Sequence, residues 1–440
     1  MSISDKNLSD KNYSNKSLPD SAFLDGALSG NNVSGNKVSG NTFLENIELA
    51  SQDATQAVKA GIESDTQYGA VTPPLYLSSN YTFKDFAEPR QYDYSRSGNP
   101  TRDLLADALA ELEQGDAGVI TSTGMSAVLL ITQLLSANDL IVAPHDCYGG
   151  TFRLFRSLAD KGHFKVQFVD QNDPIALAEV FNHSPKLLWV ETPSNPLLRI
   201  VDIQSLCQKA KQHNCLVAVD NTFLTPAFQK PLTLGADLVV HSTTKYINGH
   251  SDVVGGAVIS KPPELAEQIK WWANCLGITA SPFDSFLTLR GLRTLNARLA
   301  VHLQNTQKIL KFLVEHPQVS KVYHPSLPEH PGHDIAKRQQ SSFGVMLSFE
   351  LDGDEQQVRS FVLALKQFSL AESLGGVESL ICHPATMTHA AMHPEARATA
   401  GIKENLLRLS IGIESAQDLI SDLSSAFFAC VQVKLKQKAS

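Results

Sequence analysis

The chain lacks most of the signatures that mark metal, redox or nucleotide chemistry. Six cysteines are present, Cys147, Cys207, Cys215, Cys275, Cys382 and Cys430, and no two form a CxxC pair. That spacing argues against a zinc site or a disulfide framework and fits reduced thiols in a cytoplasmic protein. There is no GxGxxG turn and no Walker sequence, so dinucleotides and ATP are poor candidates. No apolar run reaches ~18 residues, so no segment is expected to span a membrane. No strongly basic block occurs and the formal net charge is −8, so nucleic acid is not an expected partner. Arginine is absent before Arg90, and no basic region precedes an apolar core. Neither a transit peptide nor a secretory signal is therefore expected.

The rest has the composition of a folded enzyme: 440 residues, 42% apolar and 19% charged, enough for two or three domains. Residues 1–50 differ, because Ser, Asn and Gly supply 21 of them and Ser-Gly-Asn recurs from Ser29, Ser34 and Ser39. Such a stretch buries too little apolar surface to offset its ordering entropy, and a disordered extension is expected. Residues 102–113 have helical spacing, and a helix is expected over 124–135. Short apolar strands are expected at 117–121, 139–144, 165–170, 186–191, 215–220, 237–241 and 256–260. Buried strands alternating with helices indicate an α/β fold with a parallel or mixed sheet covered on both faces. After about residue 300 the texture changes to a smaller α+β unit. Helices are expected at 301–315 and 355–365, a strand at 345–351, a glycine-containing loop at 370–380, and a strand at 406–412 carrying Arg408.

The chemistry concentrates where strands end. The run 236–245 passes from apolar residues into Ser242, Thr243, Thr244 and Lys245. The run 215–219 ends at Asp220. In such sheets ligands collect beyond the carboxyl ends of the strands. Gly124 and Met125 open the first helix of the sheet, where free amides attract phosphate. Any one of these residues is ordinary: a solvated lysine, a capping acid, a turn hydroxyl. Together, a lysine amine, a carboxylate and clustered hydroxyls suit pyridoxal phosphate, which needs a lysine for its covalent link, an acid for its ring nitrogen and donors for its phosphate. The histidines His383, His389 and His393, and separately His324, His330 and His333, lack an HExxH pattern, and no metal site is expected from them.

Longer motifs sharpen this. Residues 67–103 read QYGAVTPPLYLSSNYTFKDFAEPRQYDYSRSGNPTRD, followed by TSTGMSA, PHDCYGG, ETPSNPLL, VDNTFLTP, HSTTKYINGHSDVVGG, LAESLGGVESL and LLRLSIGIE. From about Ser51 onward the chain resembles the cysteine/methionine-metabolism family of fold-type-I pyridoxal-phosphate enzymes, and most of all its γ-synthase branch. The resemblance implies a large domain with a mostly parallel seven-stranded sheet over 104–300. It also implies an arm at 51–103 that contacts a neighbouring subunit, and a smaller α+β domain at 301–440. Lys245 resembles the cofactor-linked lysine and general base, and Asp220 the partner of the ring nitrogen. Gly124, Met125, Ser242 and Thr244 resemble the phosphate cup. Tyr148 resembles the stacking aromatic, with Asn195 and Thr222 near the ring. Tyr94 and Arg96 resemble the residues that reach a neighbour's phosphate in a homotetramer built from two active dimers. Arg408 resembles the residue that grips the substrate α-carboxylate, Ser373 lies in the loop facing the same group, Glu372 beside it follows the γ-synthase and γ-lyase pattern rather than the β-lyase one, and Arg153 is a candidate for the distal carboxylate. Ser97 departs from the second arginine found there in many bacterial γ-synthases and agrees with the residue common in γ-lyases. The implied reaction is γ-replacement between O-succinyl-L-homoserine and L-cysteine, giving L-cystathionine and succinate in transsulfuration and methionine biosynthesis. A γ-lyase, or an O-acetylhomoserine-dependent synthase or sulfhydrylase, is the alternative.

Overall fold

The computed structural model describes residues 51–390, 392 and 394–439. The expected extension at 1–50 and His393 lie outside the described residues. The strands of the larger sheet are β1 (Ala117–Thr121), β2 (Leu140–Pro144), β3 (Lys165–Val169), β4 (Leu187–Glu191), β5 (Leu216–Asp220), β6 (Leu238–His241) and β7 (Gly256–Ser260). Their spatial order is β1-β7-β6-β5-β4-β2-β3. β7 runs antiparallel to both β1 and β6, and every other pairing is parallel. The sheet is therefore mostly parallel and seven-stranded, as expected.

Its strands are apolar at nearly every position because both faces are covered. In β4, Leu188 and Val190 pack into one buried cluster with Leu105, Leu109 and Val219. Leu187 and Trp189, on the opposite face, pack into another with Ile131, Ile141 and Phe155. Trp189 meets Phe155 edge to face with centroids 5.5 Å apart. A fully buried Leu of this kind contributes about 1.5–3 kcal/mol through area removed from water.

Local sequence sets the helix ends that matter. The helix Pro100–Glu113 starts two residues earlier than expected. Asn99 caps it by accepting from the backbone amides of Thr101 and Arg102, and Pro100 occupies the first turn, where no N–H is needed. The helix Gly124–Thr132 is capped by Thr123 Oγ1, which accepts from Ser126 N at 2.9 Å.

The second sheet holds β8 (Val319–Tyr323), β9 (Met346–Leu351), β10 (Ser369–Leu370), β11 (Leu380–Cys382) and β12 (Leu406–Ser410), in the order β10-β11-β12-β9-β8. Helices Leu295–Val314, Glu355–Ala364 and Ala416–Ala439 accompany it. β10 and β11 bracket the segment expected to be only a loop. Each is too short for alternation to register, and they form by parallel pairing with one another. β12 crosses the middle of this sheet and presents Arg408. Among the described residues, no helix is long and apolar enough to cross a membrane.

Candidate active site

The carboxyl ends of β1, β4, β5 and β6 converge on one cavity of about 400 Å³. Lys245 follows β6 within a turn whose Gly249 amide bonds back to Lys245 O at 2.8 Å. Its side chain is half-buried, and Nζ donates to Ser373 Oγ at 2.7 Å. Burial, and then the Arg408 charge, pull the amine down to about 8, with Glu372 opposing them. A much larger fraction of this amine is therefore neutral near pH 8 than for a surface lysine.

Asp220 ends β5. Its Oδ1 accepts from Thr222 N at 3.0 Å, and Thr222 Oγ1 accepts from Ser242 N at 2.9 Å. These bonds tie the ends of β5 and β6 together. Burial pushes the Asp220 carboxyl upward, while the Thr222 bonds and His241 pull it back. Behind this pair, His241 Nε2 lies 2.6 Å from Glu113 Oε1, with both side chains fully buried.

The start of the Gly124–Thr132 helix forms another wall. A Cβ on Gly124 would come within 2.8 Å of Ser242 Cβ, so only glycine lets the helix N-terminus approach the turn that carries Lys245. Met125, Ser242 and Thr244 share this wall. Tyr148 stands at the N-terminus of helix Gly149–Asp160, and a Cβ on Gly150 would clash with its ring at 2.5 Å.

The second sheet closes the cavity with Arg408. Nη1 donates to Asn195 Oδ1 at 2.9 Å and Nη2 to Ser373 O at 2.8 Å, while Nε is buried without a partner among the described residues. Ser373 adopts φ 79°, a left-handed conformation that costs of order 1–3 kcal/mol for a residue with a side chain. Its two bonds, to Lys245 and Arg408, hold it there.

Lys245, Asp220, Thr222, Ser242, Thr244, Gly124, Met125, Tyr148, Asn195, Glu372, Ser373 and Arg408 thus line one cavity, although they come from seven segments spread over 285 positions, 124 to 408. Tyr94, Arg96 and Arg153 do not line it. Arg96 instead donates to Asn274 O at 3.0 Å, and its guanidinium lies 5.7 Å from the Tyr94 ring centre. Arg153 is exposed in the first turns of the Tyr148-capped helix. Ser97 Oγ lies 2.8 Å from Asp93 Oδ1.

Several lining residues carry no expectation from the sequence, Glu191, Thr151 and Thr388 among them. Glu191 had a signal available, since it closes an apolar strand as Asp220 does. The histidines take structural partners: His324 Nε2 lies 3.3 Å from Gly344 O, His330 Nε2 3.3 Å from Leu197 O and His333 Nδ1 2.8 Å from Pro325 O.

The pattern of the family described as Cys/Met metabolism PLP-dependent enzyme matches residues 54–428. The chain belongs to that family. It is 59% identical over 382 residues to the cystathionine gamma-synthase of Escherichia coli (strain K12), a match covering 87% of this chain and 99% of that one. It is 47% identical over 372 residues to a cystathionine beta-lyase of Lactococcus lactis subsp. cremoris (strain MG1363), covering 84% and 98%. Among solved structures, cystathionine gamma synthase from Xanthomonas oryzae pv. oryzae in complex with aminoacrylate and cysteine superposes with a TM-score of 0.86. That protein is 61% identical, and the match covers 86% of this chain and 98% of it. The same protein in complex with cystathionine superposes at 0.85.

The chain is a fold-type-I enzyme that uses pyridoxal 5′-phosphate and takes amino-acid substrates. The cavity suits that cofactor on its own terms. It offers a depressed amine, a half-buried carboxylate, a helix N-terminus cleared by glycine, and the buried Thr151 hydroxyl, which has no partner among the described residues.

Proposed function

We propose that this chain catalyses γ-replacement, joining O-succinyl-L-homoserine to L-cysteine to give L-cystathionine and succinate, a transsulfuration step in methionine biosynthesis. The observation that carries this is Lys245, whose depressed amine shares one cavity with Asp220 and the carboxylate-binding candidate Arg408. When bound, pyridoxal 5′-phosphate supplies a protonated ring that takes up the electrons released at the substrate Cα.

Asp220 retains the ring nitrogen's proton. Gly124 and Met125 offer helix-terminal amides to the phosphate, and Ser242 and Thr244 add hydroxyls. Tyr148 supplies an aromatic face, with Asn195 and Thr222 beside the ring. Arg408 takes the substrate α-carboxylate, a task suited to a planar fork of donors, and its free Nε is one donor available for it. Ser373 orients both Lys245 and Arg408. Glu372 lines the cavity beside Ser373, and Arg153, exposed outside the cavity lining on the Tyr148-capped helix, is the candidate for the distal carboxylate of the succinyl group.

Lys245 in its neutral form removes the Cα proton. A second proton leaves Cβ, and succinate departs from Cγ with the C–O electron pair. The cysteine sulfur then bonds to Cγ, and protons return to Cβ and Cα. Tyr148, and Tyr94 from a second copy, assist these transfers.

The assembly is a homotetramer of two active dimers, with the arm of one copy completing the site of another. The arm's exposed apolar residues support this: Phe86 is 98%, Tyr68 83% and Leu77 68% exposed in the single chain. Arg96 reaches the second copy's phosphate. The unpaired cysteines, Cys147, Cys207, Cys215, Cys275, Cys382 and Cys430, fit a cytoplasmic setting.

The test is a product assay with O-succinylhomoserine and O-acetylhomoserine, each with cysteine or sulfide. Cystathionine from the succinyl ester and cysteine is expected to dominate. Release of 2-oxobutanoate and ammonia with no thioether would sink the proposal.

A further inference from the structure

We propose that Glu191 and Asp220 act as one carboxylate pair at the floor of the cavity, sharing a single proton that leaves when the cofactor's ring nitrogen arrives beside Asp220. This rests on the cofactor placement above.

The geometry comes from the sheet. β4 and β5 are parallel neighbours, and Glu191 is in register with Asp220 at their carboxyl ends. Both residues line the cavity, and Glu191 is only 7% exposed. Its two oxygens are held apart by two donors: Oε1 accepts from Trp189 Nε1 at 3.0 Å and Oε2 from Tyr148 N at 2.7 Å. Glu191 thus anchors the residue that carries the aromatic face.

The surroundings neutralise two charges only in part. Among the described residues, neither Glu191 nor Asp220 forms an ion pair. Asp146 and the Cys147 thiol face Glu191 from the segment after β2. Asp146 adds negative charge, and Arg199, 3.0 Å from it, is engaged there. On the Asp220 side, His241 of β6 draws the carboxyl down, but it is shared with Glu113, 2.6 Å from its Nε2. Adjacent desolvated carboxylates without an ion-pair partner of their own resist double ionisation. Burial, and then the Asp220 charge, push Glu191 well above the usual carboxylate range, against the pull of the Trp189 and Tyr148 bonds. Burial pushes Asp220 upward too, and the retained proton belongs to the pair rather than to either residue.

A raised carboxyl holds its proton below the raised value. A ring cation beside Asp220 supplies the missing opposite charge and lowers that value, so near neutral pH the proton passes to solvent on loading. The ionised Glu191 then grips Tyr148 N with a charge-assisted bond. Cofactor loading and fixation of the Tyr148 backbone are thereby one event, which makes Glu191 a positioning residue.

The experiment strips the full-length protein of cofactor and reloads it with pyridoxal 5′-phosphate at pH 7. Calorimetry in two buffers of different ionisation enthalpy counts the protons released. Wild type is expected to release about one proton more than Glu191→Gln, with Glu191→Asp close to wild type. Equal release by wild type and Glu191→Gln overturns the proposal. If Glu191→Gln does not fold or load, infrared difference spectroscopy on wild type decides. A protonated-carboxyl band present without cofactor must vanish on loading, and its absence or persistence overturns the pair. A wild-type chain that takes up no pyridoxal 5′-phosphate sinks the proposed function itself. A chain that loads without the proton difference sinks only the carboxylate pair.

Discussion

Ser373 accepts the Lys245 amine at 2.7 Å through its hydroxyl and holds Arg408 Nη2 at 2.8 Å through its carbonyl. One residue from the smaller sheet's margin therefore sets the distance between the proposed base and the proposed carboxylate anchor. Because Lys245 and Arg408 are like charges in a desolvated space, each neutral Lys245 amine relieves a repulsion. This is why the Arg408 charge lowers the Lys245 value, after burial.

The amine therefore has its own titration signature. In cofactor-free protein, modification of Lys245 by an amine-selective acylating reagent is expected to rise through about pH 8, because only the neutral amine attacks. Arg408→Ala removes the second-largest cause and is expected to move the midpoint upward while leaving the burial contribution. Peptide mapping of the labelled lysine at several pH values checks both. A wild-type midpoint near the unperturbed lysine value of about 10.4 would rule out the desolvated amine.

Asp220→Asn is expected to keep the fold and some cofactor but to react roughly 10²-fold more slowly, since a neutral amide does not hold the ring proton. The loss should fall on kcat and kcat/KM together, as for an interaction that matters in the transition state. Exchange of the substrate α-proton with solvent deuterium, followed by NMR, isolates that step. Unchanged exchange would remove Asp220 from the electronic role.

The arm is tested by complementation. Lys245→Ala and Arg96→Ala are each expected to lose activity, the first by more than about 10³-fold because link and base are one amine. In a mixed dimer one site carries both defects and the other neither, so verified subunit exchange should restore part of the activity. No recovery would mean that Arg96 serves its own chain, where it already bonds Asn274 O.

Removing residues 1–45 is expected to leave turnover and Tm nearly unchanged. The family match begins only at residue 54, and the deleted stretch is rich in Ser, Asn and Gly. A large loss in either measurement would show that the extension contributes to the folded enzyme.

Much of this was legible before folding. Alternating apolar runs and helical periodicity mark an α/β sheet, because strands buried on both faces must be apolar throughout and their connections must cover them. Lys245 and Asp220 were legible because each breaks an apolar run at a strand end, where polar side chains meet a ligand rather than a core. The motifs around them carried the cofactor.

Other features depended on tertiary structure. The strand order, with β7 inserted antiparallel between β1 and β6, decides which strand ends converge, and no local pattern encodes it. β10 and β11 are two and three residues long, and they exist only through pairing with each other and with β12. Glu191 looked like any strand-closing acid. The β4–β5 register sets it beside Asp220, and the Tyr148 amide fixes its carboxylate. Sequence determines which groups can do the chemistry through their side-chain type and local burial pattern. Pairwise electrostatics depends on distances across the sheet, and those are set only when hydrogen-bond register and packing bring residues from 124 to 408 into one cavity.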